Sequence, residues 1–322
     1  MPAIDLSQLP APDVVEPLDY EAILAARKAA LIERYPEAAA ALARESSPLT
    51  KLLEENAYRE LVWRQRVNEA AQAVMLAYAC GADLDNLAAL LDVARNVIEP
   101  ADPEARPPRP ATLESDHDFR ARILLSLEGL SVAGPPGAYR YHALSADGQV
   151  ADASVSAPTF SDPQHSGERV SWKIDDAAGL DDPRPGDVVI AVLARSGDGT
   201  PDQALLDTVH DALYEDYVRP LTDRPIVRAA AIVDYQVKAT IYIEAGPDRA
   251  LVMADAQEAI TRHVKAGHRL GLDMPLSGIY AALHQPGVHR VELTEPAADI
   301  SVNARQAPYC TDIELTYGGR DE

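Results

Sequence analysis

Eight histidines, His117, His142, His165, His210, His263, His268, His284 and His289, are the first residues of this 322-residue chain that could bind a metal or carry a proton. A metal site needs two or three such donors converging with a carboxylate. None of the eight forms a two-His-plus-carboxylate cluster at ligand spacing on one element. His263 and His268 stand five apart at a helix end, which aims them at different faces. Ser196-Gly197-Asp198-Gly199-Thr200-Pro201 precedes an amphipathic segment, and amides at such a helix start could hold an anion. Asp198 brings a negative charge of its own, however, and a plain strand-to-helix turn explains the same Gly and Asp. Asp175, Asp176, Asp181 and Asp182 flank Gly179 and could surround calcium, but they miss the EF-hand spacing and read as a solvated acidic loop. No phosphate-binding P-loop, nucleophile elbow or His-Glu-x-x-His helix is present. Paired carboxylates for glycoside hydrolysis have no sequence signature, and nothing positive supports them. The expectation is a protein with no catalytic residues, no cofactor and no metal.

The elements that would have to position such chemistry suggest a different role. Hydrophobic residues make up 47% of the chain, enough for real cores, but aromatics only 5%. Lys and Arg number 29 against 51 Asp and Glu, a formal net charge of −22. That field repels nucleic acid and anionic membranes. Cys80 and Cys310 form no disulfide framework and fit a reducing cytoplasm. No secretory signal and no apolar run near membrane-spanning length is read.

The organising stretch is Pro48–Arg95. Ser47 is placed to cap a helix with Pro48 in its first turn. No proline or glycine interrupts Leu49 to Ala79, which predicts a helix of about 45 Å. Gly81 is expected as its left-handed C′ residue, and Asp83 as the cap of a return helix whose stripe is Leu84, Leu87, Ala88 and Leu91. The long helix carries two apolar rows. One is Leu49, Leu53, Ala57 and Leu61. The other is Leu52, Trp63, Val67, Val74 and Tyr78, with Arg64 and Arg66 among them. Two rows mean more than one neighbour, either within the chain or on another chain.

Before this stretch, Asp19 caps a helix to about Arg34. After it, residues 99–110 hold five prolines in twelve positions and read as a stiff connector. Ser115 or Asp116 caps a helix with Phe119, Ile123, Leu127 and Leu130 on one face. Strands are predicted at Val150–Val155 and Val170–Ile174 by alternation, and at Asp187–Ala194 by an unbroken apolar run. A helix from Thr200-Pro201 to about Tyr217 completes one small unit. A second begins near Pro225 with a strand through Val233–Ile243, helices at Asp248–Ala266 and from Ser277, and strands at Val288–Leu293 and Ile313–Tyr317. The expected fold class is α+β: an elongated multi-domain chain with an N-terminal helical arm, a long hairpin, followed by two small α+β domains. The boundaries drawn are 1–98, 99–145, 146–222 and 223–322.

Several blocks, in order, carry a resemblance. They are Asp5-Leu6-Ser7-Gln8-Leu9-Pro10-Ala11-Pro12, Leu49-Thr50-Lys51-Leu52-Leu53-Glu54, Arg64-Gln65-Arg66-Val67-Asn68-Glu69-Ala70-Ala71, and Tyr78-Ala79-Cys80-Gly81-Ala82-Asp83-Leu84-Asp85-Asn86-Leu87-Ala88. Phe119-Arg120-Ala121-Arg122-Ile123, Ala133-Gly134-Pro135-Pro136-Gly137-Ala138-Tyr139 and Val218-Arg219-Pro220-Leu221-Thr222-Asp223 follow. Over essentially its whole length the chain resembles the baseplate assembly protein J family of P2-like contractile-tail phages and phage-tail bacteriocins. The resemblance implies a structural baseplate wedge protein, with no catalytic residues to carry over. It implies two copies bundling N-terminal helices with a different wedge protein. Six wedges would then form a ring around hub and spike that changes diameter when the sheath contracts. Sheath-initiator and hub-proximal baseplate proteins are the further partners. Assembly in the bacterial cytoplasm and a final place in the virion or tail-like particle are implied too. The alternatives are a baseplate-associated cell-wall hydrolase and a cytoplasmic adaptor unrelated to phage. With the resemblance, Leu52, Trp63, Arg64, Arg66, Val67, Val74 and Tyr78 become the expected partner-binding residues.

Overall fold

The computed structural model describes residues 6, 9–10, 12–166, 169–246 and 248–320. Half of the Asp5–Pro12 block, Asp5, Ser7, Gln8 and Ala11, therefore lies outside the described residues. The fold is α+β, and the chain divides into two compact units. The first comprises residues 1–94 with 115–120, the second 95–114 with 121–322.

In the first unit, α1 (Tyr20–Arg34) starts where Asp19 accepts a hydrogen bond from the Ala22 amide at 3.0 Å. A 3-10 turn (Pro36–Ala38) and the short α2 (Ala39–Leu42) lead to α3 (Pro48–Ala73). Pro48 occupies its first position, but the Ser47 side chain makes no cap bond. Thr50 Oγ1 instead donates back to the Arg44 carbonyl at 3.0 Å. The 26 residues of α3 span about 39 Å, and the helix ends six positions before the expected Ala79. The reason lies outside the local sequence. Arg120 donates Nε to the Leu76 carbonyl and Nη2 to the Ala79 carbonyl, each at 2.7 Å. These bonds satisfy carbonyls released by the turn that follows Val74. Gly81 is left-handed, φ 53°, as expected, but it opens α4 (Gly81–Ala89) rather than closing α3. Asp83 lies inside the first turn of α4, and Cys80 holds the cap position. Leu84 and Ala88 are fully buried, whereas Leu91 is exposed beyond the helix end. The helix packed on α3 is α1: Ile23, Leu24 and Ala57 form a small core with Tyr20, Leu53 and Leu61.

In the second unit, the proline-rich segment is a closed hairpin rather than an extended spacer. β1 (Val97–Glu99) and β2 (Thr112–Leu113) pair antiparallel, and Asp102 and Arg109 exchange backbone bonds of 2.9 Å. The Asp102 carboxylate accepts from the Glu104 and Ala105 amides, which shapes the turn. The prolines between them need no donors. At the hairpin base a buried ion pair is fully bonded. Arg122 of α5 (Asp116–Gly129) donates to Glu114 at 3.2 and 2.6 Å, with both side chains 4% exposed. Glu114 also accepts from the Asn96 amide, and Arg122 donates to Ser145. Ser115 caps α5 through the Asp118 amide. Phe119 and Ile123 are buried, but Leu127 and Leu130, expected on the same row, are exposed.

The first sheet has the order β3-β6-β7. β6 (Asp187–Ala194) is central and every residue is buried. It pairs antiparallel with β3 (Val150–Ser156) and parallel with β7 (Arg224–Ala229). So residues 224–229, assigned from sequence to the last domain, complete this sheet instead. α6 (Pro136–Ala146) supplies Tyr139 and Ala143 to the core, and α7 (Gln203–Tyr214) supplies Leu205, Val209 and Leu213. α7 begins after Asp202, which caps it through the Leu205 amide at 2.8 Å, and not at Thr200. Tyr139 donates its hydroxyl to Asp223 at 2.8 Å; burial first, then this bond, pushes the phenol pKa up. Between β3 and β6, β4 (Thr159–Ser166) and β5 (Arg169–Asp176) form a separate two-stranded sheet.

The second sheet has the order β10-β8-β9. β8 (Ala231–Ile243) is central, antiparallel to β9 (Val288–Glu295) and parallel to β10 (Gln306–Arg320). Its inward row Tyr235, Val237, Ala239, Ile241 and Ile243 meets α8 (Arg249–Gly267) and α9 (Leu276–Leu283). Asp248 caps α8 as expected, but Ser277 lies within α9, whose cap position is Pro275. One residue, Ala230, separates β7 from β8. It is buried, and its amide donates to the Val192 carbonyl. Asp152 of β3, itself buried, accepts from Arg140 and from the Leu270 amide beyond α8. The two sheets are thereby pinned to one another.

Candidate partner-binding site

α3 exists as a helix because Pro48 sits in its first turn, where no donor is needed, and Leu49 to Ala73 include no breaker and many good helix formers. It presents two opposite faces. Along one, Leu53, Ala57 and Leu61 lie against α1. Further along that face Asn68 is buried, with Nδ2 donating to the Glu16 carbonyl at 2.8 Å and Oδ1 accepting from the Glu16 amide at 3.1 Å. Asn68 thus fixes the extended chain ahead of α1 along the helix.

The opposite face is uncovered. Leu52, Trp63 and Val67 are exposed, Trp63 at 70%, and Val74 is exposed just past the helix end. Tyr58 and Val62 are exposed beside them. These two were missed in the sequence row. Their spacing of four, continuing to Arg66, was the available signal. Val62, Trp63, Gln65, Arg66 and Glu69 line a shallow groove. Arg66 is largely exposed and reaches Glu69 at 3.4 Å.

Two of the expected residues stand apart from this face. Arg64 turns to the inner side and bonds Glu16 and Glu60, each at 2.8 Å. Arg27 of α1 also bonds Glu60. The hydrogen bonds from Arg64 and then Arg27 lower the Glu60 pKa. Tyr78 is half-buried, and its hydroxyl lies 3.2 Å from the Leu9 carbonyl and 3.0 Å from that of Pro10. Arg64 and Tyr78 therefore tie the N-terminal arm to α3. Leu52, Trp63, Arg66, Val67 and Val74 remain outward. Among the described residues no group of three His, Cys, Asp or Glu could hold a metal ion. No described helix is long and apolar enough to cross a membrane.

The outer side of α3 is thus an exposed apolar helix surface. Family comparisons give the class of protein. Residues 45–102 match the Baseplate J-like N-terminal domain, 131–229 the Baseplate J-like central domain and 235–316 the Baseplate J-like protein C-terminal domain. Baseplate protein J of Escherichia phage P2 is 51% identical over 327 residues, covering all of both chains. The chain belongs to the Baseplate J family of structural phage-tail baseplate proteins and is not an enzyme. A solved baseplate of the anti-feeding prophage is also similar, with 14% identity and a TM-score of 0.38 over 63% of this chain and 43% of that one. The central-domain match ends at Ala229, the last residue of β7.

Proposed function

We propose that the protein is a wedge subunit of a contractile tail or tail-like injection machine, and that the outer face of α3 bundles with helices of a second copy and of a different wedge protein. The wedges would close into a ring around hub and spike, meet sheath-initiator and hub-proximal proteins at its edges, and rearrange on contraction. The observation that carries this reading is the uncovered row Leu52, Trp63 and Val67 on a helix whose opposite face is already satisfied by α1. Each large side chain moved from water into such a bundle contributes about 1.5–3 kcal/mol. The protein would assemble in the bacterial cytoplasm and end in the baseplate.

Co-expression with the products of neighbouring wedge genes, followed by mass measurement of the purified complex, tests it. Wild type should give a complex of defined mass. Trp63→Ser with Val67→Ser should weaken it by tenfold or more while leaving the helical content of the free chain unchanged. A chain that stays monomeric beside every wedge product, or a double variant that assembles normally, would overturn the reading.

A further inference from the structure

His263 and His268 lie five apart at the C-terminal end of α8 and face different neighbours. Among the described residues, the Nε2 atom of each is sealed from solvent and has no hydrogen-bond partner. A Cβ on Gly278 would stand 2.9 Å from Nε2 of His263, so that ring presses on the first turn of α9. A Cβ on Gly199 would stand 2.7 Å from Nε2 of His268, so that ring points at the turn before α7. His268 also holds the Pro308 carbonyl through Nδ1 at 2.7 Å, and the turn it faces includes the Asp198 carboxylate.

The groups around His263 offer its Nε2 nothing. On α8, Arg262 pairs with Glu258 at 2.6 Å, and Lys265 is exposed. Within α9 the titratable side chain is Tyr280, which is exposed. Beside the start of α9, Asp299 accepts from the Leu276 amide and Asp273 from the Val302 amide. On the sheet beneath, burial pushes the Tyr235 phenol and the Cys310 thiol up, so both stay neutral. As a neutral ring, His263 sets only a lone pair against Gly278. Once protonated, it buries a charged N–H without an acceptor, beside the positive end of the α9 dipole. α9 is the element able to yield, since its buried side chains are just Ile279 and Leu283. We propose that His263 is an acid-sensitive clasp: as a neutral ring it lets α9 pack on α8, and its protonation detaches α9 and uncovers Ile279 and Leu283. The clasp acts within one chain and stands apart from the wedge reading.

Hydrogen–deuterium exchange of the full-length chain, read by mass spectrometry at about pH 7.5 and about pH 5, tests the clasp. Burial lowers the His263 pKa from the ordinary value of about 6.5, which the detached form regains. Detachment therefore takes up a proton and grows as pH falls. After correction for the intrinsic exchange rate, α9 peptides should lose about threefold or more protection in acid beyond any loss in β6. His263→Gln should abolish that extra loss, and His268→Gln should leave it in place. His263→Phe keeps a ring with no site for a proton, and it replaces the glutamine variant if that one fails to fold. Unchanged α9 protection in acid, a loss matched by β6, an undiminished loss in the His263 variant, or a loss abolished by His268→Gln would overturn the proposal.

Discussion

β6 and α3 use their apolar residues in opposite ways. β6 has eight residues and buries all of them. α3 has 26 and buries Thr50, Ala57 and Asn68, two of them polar. A strand in the middle of a covered sheet has neighbours on both faces and both edges. A helix packed along one side, here by α1, has one satisfied face. The two sheets of the second unit therefore close their cores within the chain, while the outer face of α3 stays exposed apolar surface. The contrast separates residues that hold this fold from residues the fold leaves exposed.

Substitutions can break the contrast in order of effect. Arg122→Met should cost the second unit about 3–5 kcal/mol, because it strands the buried Glu114 carboxylate; thermal or urea unfolding followed by circular dichroism measures it. Asn68→Ala should cost the first unit about 1–3 kcal/mol, since two bonds to the Glu16 backbone are lost at a buried position. Proteolysis near Glu16 should accelerate in that variant. Trp63→Ser should change the free chain's stability by no more than about 0.5 kcal/mol, because the ring is already in water. A larger loss would mean that the outer face of α3 is covered within the chain after all.

Acid supplies the mildest test. His142 and His263 sit in the second unit, and burial lowers both imidazole pKa values from the ordinary value of about 6.5. Between the folded and unfolded values the unfolded chain binds more protons, so stability rises with pH there. The second unit should therefore be most stable above about pH 6.5 and should lose stability as pH falls below it. Melting curves of wild type and of His142→Gln across that range should diverge, with a flatter slope in the variant.

The sequence made local devices plain. Asp19 and Asp248 were legible as caps because the bond runs from a side chain to an amide two or three residues on. β6 and β8 were legible because burial on two faces or on one writes its own periodicity. What stayed hidden depends on distant residues. The end of α3 is set by Arg120, more than forty positions away. Ownership of β7 is decided by pairing with β6, which its own residues do not advertise. β4 carries Pro163 in mid-strand and has no clear alternation. Of the partner-binding row, periodicity located both faces of α3, but only α1 could show which was already taken. Arg64 fell on the inner side because Glu16 and Glu60 claim it.

The junction at Ala230 has a mechanical consequence. A hinge needs residues free to swing through φ/ψ space, and a single buried alanine bonded to Val192 has no such freedom. Asp152 adds a second bolt some eighty residues earlier in the chain. A load applied to α9 would pass through β8 to β6 as through a lever, with no give at the fulcrum. The two sheets can turn together, as one stiff crank.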